Sequence, residues 1–150
     1  MTRLADADAT RAAGAALGQL VQGGDAIALV GDLGAGKTTF TTGLVAAIGA
    51  GTAASPTFSL VNEYVGGRLI VWHVDLYRIE RSAELVELGL EEMLGDRRGV
   101  CLVEWADNYD VMPSDHLRIE LAHDGDTRSV EYRGIGPRGE ALAKLLQQAG

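Results

Sequence analysis

Gly31-Asp32-Leu33-Gly34-Ala35-Gly36-Lys37-Thr38 is the stretch on which the reading of this chain turns. Two glycines five positions apart, then lysine and a hydroxyl residue, make up the Walker A pattern. With this chain's own glycine, lysine, serine and threonine content, such a run arises by chance in roughly 0.3% of sequences of this length. Phosphate carries dense negative charge, and successive backbone N–H groups wrap it only where no side chain blocks the approach. Gly31, Gly34 and Gly36 leave that approach open. A helix beginning near Lys37 would aim the positive end of its dipole at the anion. Lys37 is expected to reach the outer phosphates, and the Thr38 hydroxyl to ligate Mg²⁺, a hard cation that prefers oxygen.

The flanks suit that loop. Ala26 to Val30 (AIALV) is a short apolar run of buried-strand type, and Thr38 to Ile48 reads as a helix stopped by Gly49-Ala50-Gly51. Upstream, residues 8–22 place Ala13, Ala16, Leu17 and Leu20 on one helical face before Gly23-Gly24. Downstream, Phe58 to Tyr64 and Leu69 to Asp75 read as strands around Gly66-Gly67. SAELVELGLEEML is helical, with Ser82 as N-cap, Gly89 as a break, and Glu84, Glu87 and Glu91 on one solvated side. Val100 to Val103 is a second buried-type strand. His116 to Ala122 and Arg128 to Arg133 form an antiparallel pair, and Pro137 to Ala149 is a closing helix. The pattern predicts a single α/β domain over residues 1–150, P-loop NTPase-like. Its mixed sheet has a parallel centre flanked by helices, with antiparallel edge strands.

Composition narrows the partners. The net charge of −8 excludes a general nucleic-acid or membrane-surface binder. Eleven of the 21 acids lie between Asp75 and Asp115, against four arginines, so the acidity gathers in the half that carries the candidate metal residues. A single cysteine makes no internal disulfide and points to a reducing compartment. The N-terminal MTRLADADAT has no signal-type apolar run, and no stretch approaches ~18 consecutive apolar residues. A cytoplasmic location without membrane attachment is the expectation.

Phosphoryl chemistry needs a further carboxylate to hold the metal, usually at the end of a buried strand. Glu104 ends the VCLV run and fits that role, or simply closes a strand. Trp105 beside it shields the site or fills a core edge. In LIVWHVD the period of two puts His73 and Asp75 on one strand face near its C-terminal end, where α/β sites gather. Asp75 is placed to bind Mg²⁺ through water or to position an attacking water, and His73 reads more readily as structural. Cys101 reads as core. Ser55-Pro56-Thr57-Phe58 follows the phosphate helix, where nucleotide switches often place a hydroxyl that senses the γ-phosphate. No arginine finger is evident in the chain, so slow hydrolysis alone and stimulation by a partner are expected.

GDLGAGKTTF at 31–40, SPTFSLVNEY at 55–64, HVDLYRIE at 73–80 and CLVEW at 101–105 resemble the TsaE (YjeE) family in type, order and spacing. That resemblance implies a bacterial ATPase of tRNA threonylcarbamoyladenosine synthesis. It would act on the TsaB and TsaD proteins in placing the threonylcarbamoyl group on adenosine 37 of ANN-decoding tRNAs. The tRNA would be reached only through the complex, and no homo-oligomer is required. It further implies ATP as substrate with Mg²⁺, held by the run Gly31, Asp32, Leu33, Gly34, Ala35, Gly36, Lys37, Thr38 and Thr39. Lys37, Asp75 and Glu104 carry the catalysis, Thr38 and Glu104 the metal, and Ser55 and Thr57 a switch-like loop. Thr10 and Arg128 fall near the nucleotide base. Two alternatives share the loop. A small-molecule P-loop kinase would need an acceptor pocket and an arginine-bearing lid, for which Arg78 and Arg81 are the close pair. A nucleotide-gated assembly factor would use binding without essential turnover. A regulatory GTPase is disfavoured because no Asn/Thr-Lys-x-Asp motif occurs.

Overall fold

The computed structural model describes residues 2–32, 35–52, 61–76, 83–106 and 111–149. Elements run β1 (Thr2–Leu4), α1 (Ala7–Leu20), β2 (Ala26–Val30), α2 (Lys37–Ile48), β3 (Gly51–Thr52), β4 (Val61–Val65) and β5 (Ile70–Asp75). There follow α3 (Ala83–Leu88), α4 (Leu90–Gly95), β6 (Gly99–Glu104), β7 (His116–Asp124), β8 (Thr127–Ile135) and α5 (Gly136–Ala149). Eight strands form one sheet in the order β1-β8-β7-β2-β6-β5-β4-β3. β7, β2, β6 and β5 are mutually parallel, and the outer strands pair antiparallel. The predicted mixed sheet with a parallel centre is the fold observed.

Central parallel strands are covered on both faces and so must be apolar on both. β6 is buried at all six positions and β2 at its first four, as the runs VCLV and AIALV require. Ile27, Leu29, Val71 and Leu102 pack under α1, α2 and α5, with Leu17, Phe40, Leu44 and Leu142 as the helix contribution. Ala28, Val74, Cys101 and Val103 face the other way, toward Leu90 of α4. The site-forming side chains belong to the first face, because His73 and Asp75 share the parity of Val71, and Glu104 that of Leu102.

α1 and α2 lie backbone to backbone. A Cβ on Gly43 would strike the Arg11 carbonyl, one on Gly14 the Phe40 carbonyl, and one on Gly18 would lie 2.7 Å from the Leu44 carbonyl oxygen. α1 is fastened at both ends. Asp6 caps its start, its Oδ1 accepting from the Ala9 N–H at 2.8 Å. At the far end Arg68 donates to the Val21 and Gly18 carbonyls and Arg138 to that of Leu20, so carbonyls without helical partners are satisfied. Arg138 also pairs with buried Asp25 at 2.9 Å. Asp6→Ala should lower stability by about 1 kcal/mol, the usual worth of an N-cap, read as a reduced urea midpoint with an unchanged slope.

Two strands escape the sequence pattern. β1 and β3 have three and two residues, too few for an alternation to register, and exist through their ladder partners β8 and β4. The expected acidic face over Glu84, Glu87 and Glu91 needs correction. Gly89, at φ +73°, closes α3 and begins α4, so Glu91 belongs to a different helix from Glu84. Ser82 and residues 58–60 lie outside the described residues. No helix among the described residues is long and apolar enough to cross a membrane.

Candidate functional site

The site forms where β2 ends and α2 begins, at the carboxyl ends of the parallel strands, where open α/β sheets place ligands. Gly36 caps α2 from the left-handed region at φ +103°, a conformation that costs glycine little and other residues more. That turn directs the first amides of α2 into a cleft of about 530 Å³. Gly36, Lys37, Thr38 and Thr39 form one side of the cleft, and Asp75, Glu104 and Trp105 face them. Ala7, Thr10 and Arg128 complete the lining. Register explains the carboxylates: β5 and β6 are parallel with Asp75 opposite Glu104, so two strand ends deliver two acids to one place.

Lys37 is only 7% exposed, and a buried ammonium needs compensation. It has two partners. Its Nζ lies 3.4 Å from Glu104 Oε1 and 4.1 Å from the centroid of the Trp105 ring, within cation–π range. The other carboxylate oxygen, Oε2, is hydrogen-bonded to His73 Nε2. Burial by itself would push the Glu104 carboxyl up. The His73 hydrogen bond and charge, followed by Lys37, more than reverse it and hold the group below its ordinary value. Glu104 is therefore an ionised carboxylate in a dry setting, suited to a metal or a developing positive charge. Trp105 sits at φ +64°, and among the described residues it is the one non-glycine in the left-handed region. A bulky residue there is strained, and such strain concentrates at functional sites.

The remaining candidates sort clearly. Thr10 and Arg128, far apart in sequence, meet at the cleft, and a Cβ on Gly36 would come 3.3 Å from the Thr10 methyl and 4.0 Å from Arg128 Cδ. Gly31 serves packing: a Cβ there would lie 2.6 Å from the Leu121 carbonyl oxygen. Asp32 is exposed and its carbonyl accepts from the Ala35 N–H at 3.0 Å. Ala35 is wholly buried, so its methyl faces the core. Leu33, Gly34, Ser55 and Thr57, with Arg78 and Arg81, lie outside the described residues. Cys101 is core as expected, its thiol pushed up to about 12 by burial.

Ala7 was not legible as a lining residue, because an alanine in a helix's first turn carries no chemical signal. The sequence also gave no sign that His73 and Glu104 touch. A contact between residues 31 positions apart follows from the β5–β6 register alone.

Comparison with known proteins bears on the family and the fold. The sequence profile of the family described as "Threonylcarbamoyl adenosine biosynthesis protein TsaE" matches residues 4–130. The tRNA threonylcarbamoyladenosine biosynthesis protein TsaE of Bacillus subtilis is 41% identical over 128 residues, spanning 83% of this chain and 79% of that protein. The protein of the same name from a Nostoc species is 40% identical over 134 residues, 84% of this chain and 79% of its own. The crystal structure of YdiB from Bacillus subtilis superposes with a TM-score of 0.78 at 34% identity, covering 98% of this chain and 93% of that one. With a family profile matched over most of its length and relatives at about 40% identity, the chain belongs to the TsaE family of tRNA threonylcarbamoyladenosine biosynthesis.

Proposed function

We propose that the chain binds ATP with Mg²⁺ in the cleft at the start of α2 and hydrolyses it, acting on TsaB and TsaD during formation of threonylcarbamoyladenosine on tRNA. The observation that carries this reading is the convergence of Lys37 and Thr38 with Asp75 and Glu104 across one cleft. The donor set suits Mg²⁺, since hydroxyl and carboxylate oxygens are the ligands a small hard cation prefers. Among the described residues no group of three or more His, Cys, Asp or Glu is placed to hold a metal ion. In nucleotide sites Mg²⁺ is usually held by one or two protein oxygens and completed by substrate phosphates and water. Thr38 and Glu104 would hold it, and once bound it would neutralise charge developing on the outer phosphates.

The protein's own groups supply the rest. Lys37 exchanges its partners Glu104 and Trp105 for phosphate, and the amides of Gly36 through Thr39 bind the phosphate oxygens at the positive end of α2. Asp75 orients the attacking water. A carboxylate that only orients water is a modest catalyst, so turnover by the isolated chain is slow and rises when partners act on the loop carrying Ser55 and Thr57. Thr10 and Arg128 lie toward the base. With a net charge of −8, tRNA is reached through the partners in the cytoplasm.

Steady-state phosphate release, with and without TsaB and TsaD, tests the reading. Glu104→Gln should lower turnover by about 10²-fold or more while ATP still binds, since charge stabilisation in the transition state is commonly worth that much. Turnover undiminished in this variant would remove Glu104 from the mechanism. If tRNA modification in the reconstituted system persisted in the turnover-deficient variant, binding alone would be the function.

A further inference from the structure

Glu104 is gripped from two directions, and the two grips differ in permanence. Lys37 holds Oε1 from α2, inside the cleft, and is the group that must turn to phosphate when nucleotide arrives. His73 holds Oε2 from β5 and is not among the described residues lining the cleft. Register makes its contact diagonal. Leu102 is the residue opposite His73 and Asp75 the residue opposite Glu104, so the Glu104 side chain is drawn back along β6 to meet the imidazole.

Both groups are nearly dry, with side-chain exposures of 12% for His73 and 9% for Glu104. Val71 and Leu102 around them are fully buried. A histidine among such neighbours is costly unless it finds a partner, and an ionised carboxylate there costs more still. A carboxylate only accepts hydrogen bonds, so Nε2 carries the proton and donates it. When Lys37 leaves, this bond is what remains to hold the carboxylate in place.

We propose that His73 is a positioning residue: its Nε2–H fixes Oε2 of Glu104, so that Oε1 is the oxygen presented to Mg²⁺ once Lys37 has turned to phosphate. The inference rests on the nucleotide and Mg²⁺ reading above. Groups that orient a metal-binding carboxylate typically govern metal affinity by 10- to 100-fold without touching the metal.

Binding of a non-hydrolysable ATP analogue, followed calorimetrically as Mg²⁺ is titrated, separates this role from a merely structural one. His73→Leu keeps side-chain volume and loses the donor; His73→Gln keeps an N–H at similar reach. Circular dichroism first establishes that each variant is folded. The Mg²⁺ concentration for half-maximal effect should rise about tenfold in His73→Leu and return to within about threefold of the parent in His73→Gln. Analogue affinity in chelator should be the same in all three. In a Glu104→Gln background, His73→Leu should add nothing further. A Mg²⁺ dependence unchanged by His73→Leu, or shifted equally whether or not Glu104 is present, would overturn the proposal. Should His73→Leu fail to fold, a tenfold weakening in folded His73→Gln would do the same. If the parent protein binds the analogue with no Mg²⁺ dependence at all, it is the underlying reading that fails.

Discussion

Lys37→Ala should abolish measurable nucleotide binding, weakening affinity by about 100-fold or more. A charge-assisted contact to phosphate is worth roughly 1.5–3 kcal/mol, up to about two orders of magnitude in affinity. The position adds to that. Lys37 stands at the first residue of α2, on the axis where the helix dipole and the first free amides already favour an anion, so its charge acts in concert with theirs. Burial sharpens the effect, because in a site this dry the ammonium is not replaced by screening water or ions. Lys37→Arg would not restore it: a planar guanidinium is bulkier than an ammonium and has different donor geometry. Calorimetric titration with ATP and Mg²⁺ measures both variants. Binding within threefold of the parent after Lys37→Ala would contradict the assignment of the cleft to phosphate. A melting curve is the control, and the change should be modest. The variant loses a buried charge that was costly to desolvate, while Glu104 keeps His73 as partner.

Gly43→Ala is expected to be a severely damaging small substitution. Alanine usually gains up to ~1 kcal/mol over glycine inside a helix. Here the added methyl meets the Arg11 carbonyl of α1, backbone against backbone, with no flexible side chain to move aside. Overpacking of a close contact costs about 1–3 kcal/mol, occasionally more, and rigid main chain belongs at the upper end. We expect a net loss of about 3 kcal/mol, lowering Tm by roughly 6–12 °C at ~2–4 °C per kcal/mol for a chain of this size. Nucleotide affinity should fall as well. Forcing α1 away from α2 carries off Ala7 and Thr10, which line the cleft. Gly95→Ala is the internal control, because a Cβ there meets nothing within 4 Å. Its Tm should be unchanged or slightly raised. A Gly43→Ala protein as stable as the Gly95→Ala one would show that the two helices are not locked by this contact.

How much of this was legible beforehand depends on how local each signal is. The strand–loop–helix unit around Gly31 to Thr38 is written in consecutive residues, and its elements agree with the structure to within one residue. The strands β5 and β6 show as apolar runs for the same reason. Their order in the sheet does not. β6 lies between β2 and β5, although β4 and β5 precede it in the chain. Only that crossover sets Asp75 opposite Glu104. Glu104 was readable as an acid at a strand end, whereas its ionised state depends on partners 31 and 67 positions away. Trp105 carries its message in a backbone angle that its identity would not suggest.

The sequence by itself determined the α/β class, the Walker A pattern and the acids from which a site would be drawn, because period, glycine spacing and residue chemistry are local properties. Tertiary structure decided which of these meet. It brought Thr10, Asp75, Glu104 and Arg128 to one cleft and gave the carboxylate its histidine and lysine. It also turned a glycine on each helix into a contact surface. The reason is physical: strand register and helix packing are settled by the simultaneous burial of residues distant in the chain. Those choices are the ones that set distances, desolvation and charge state at the site.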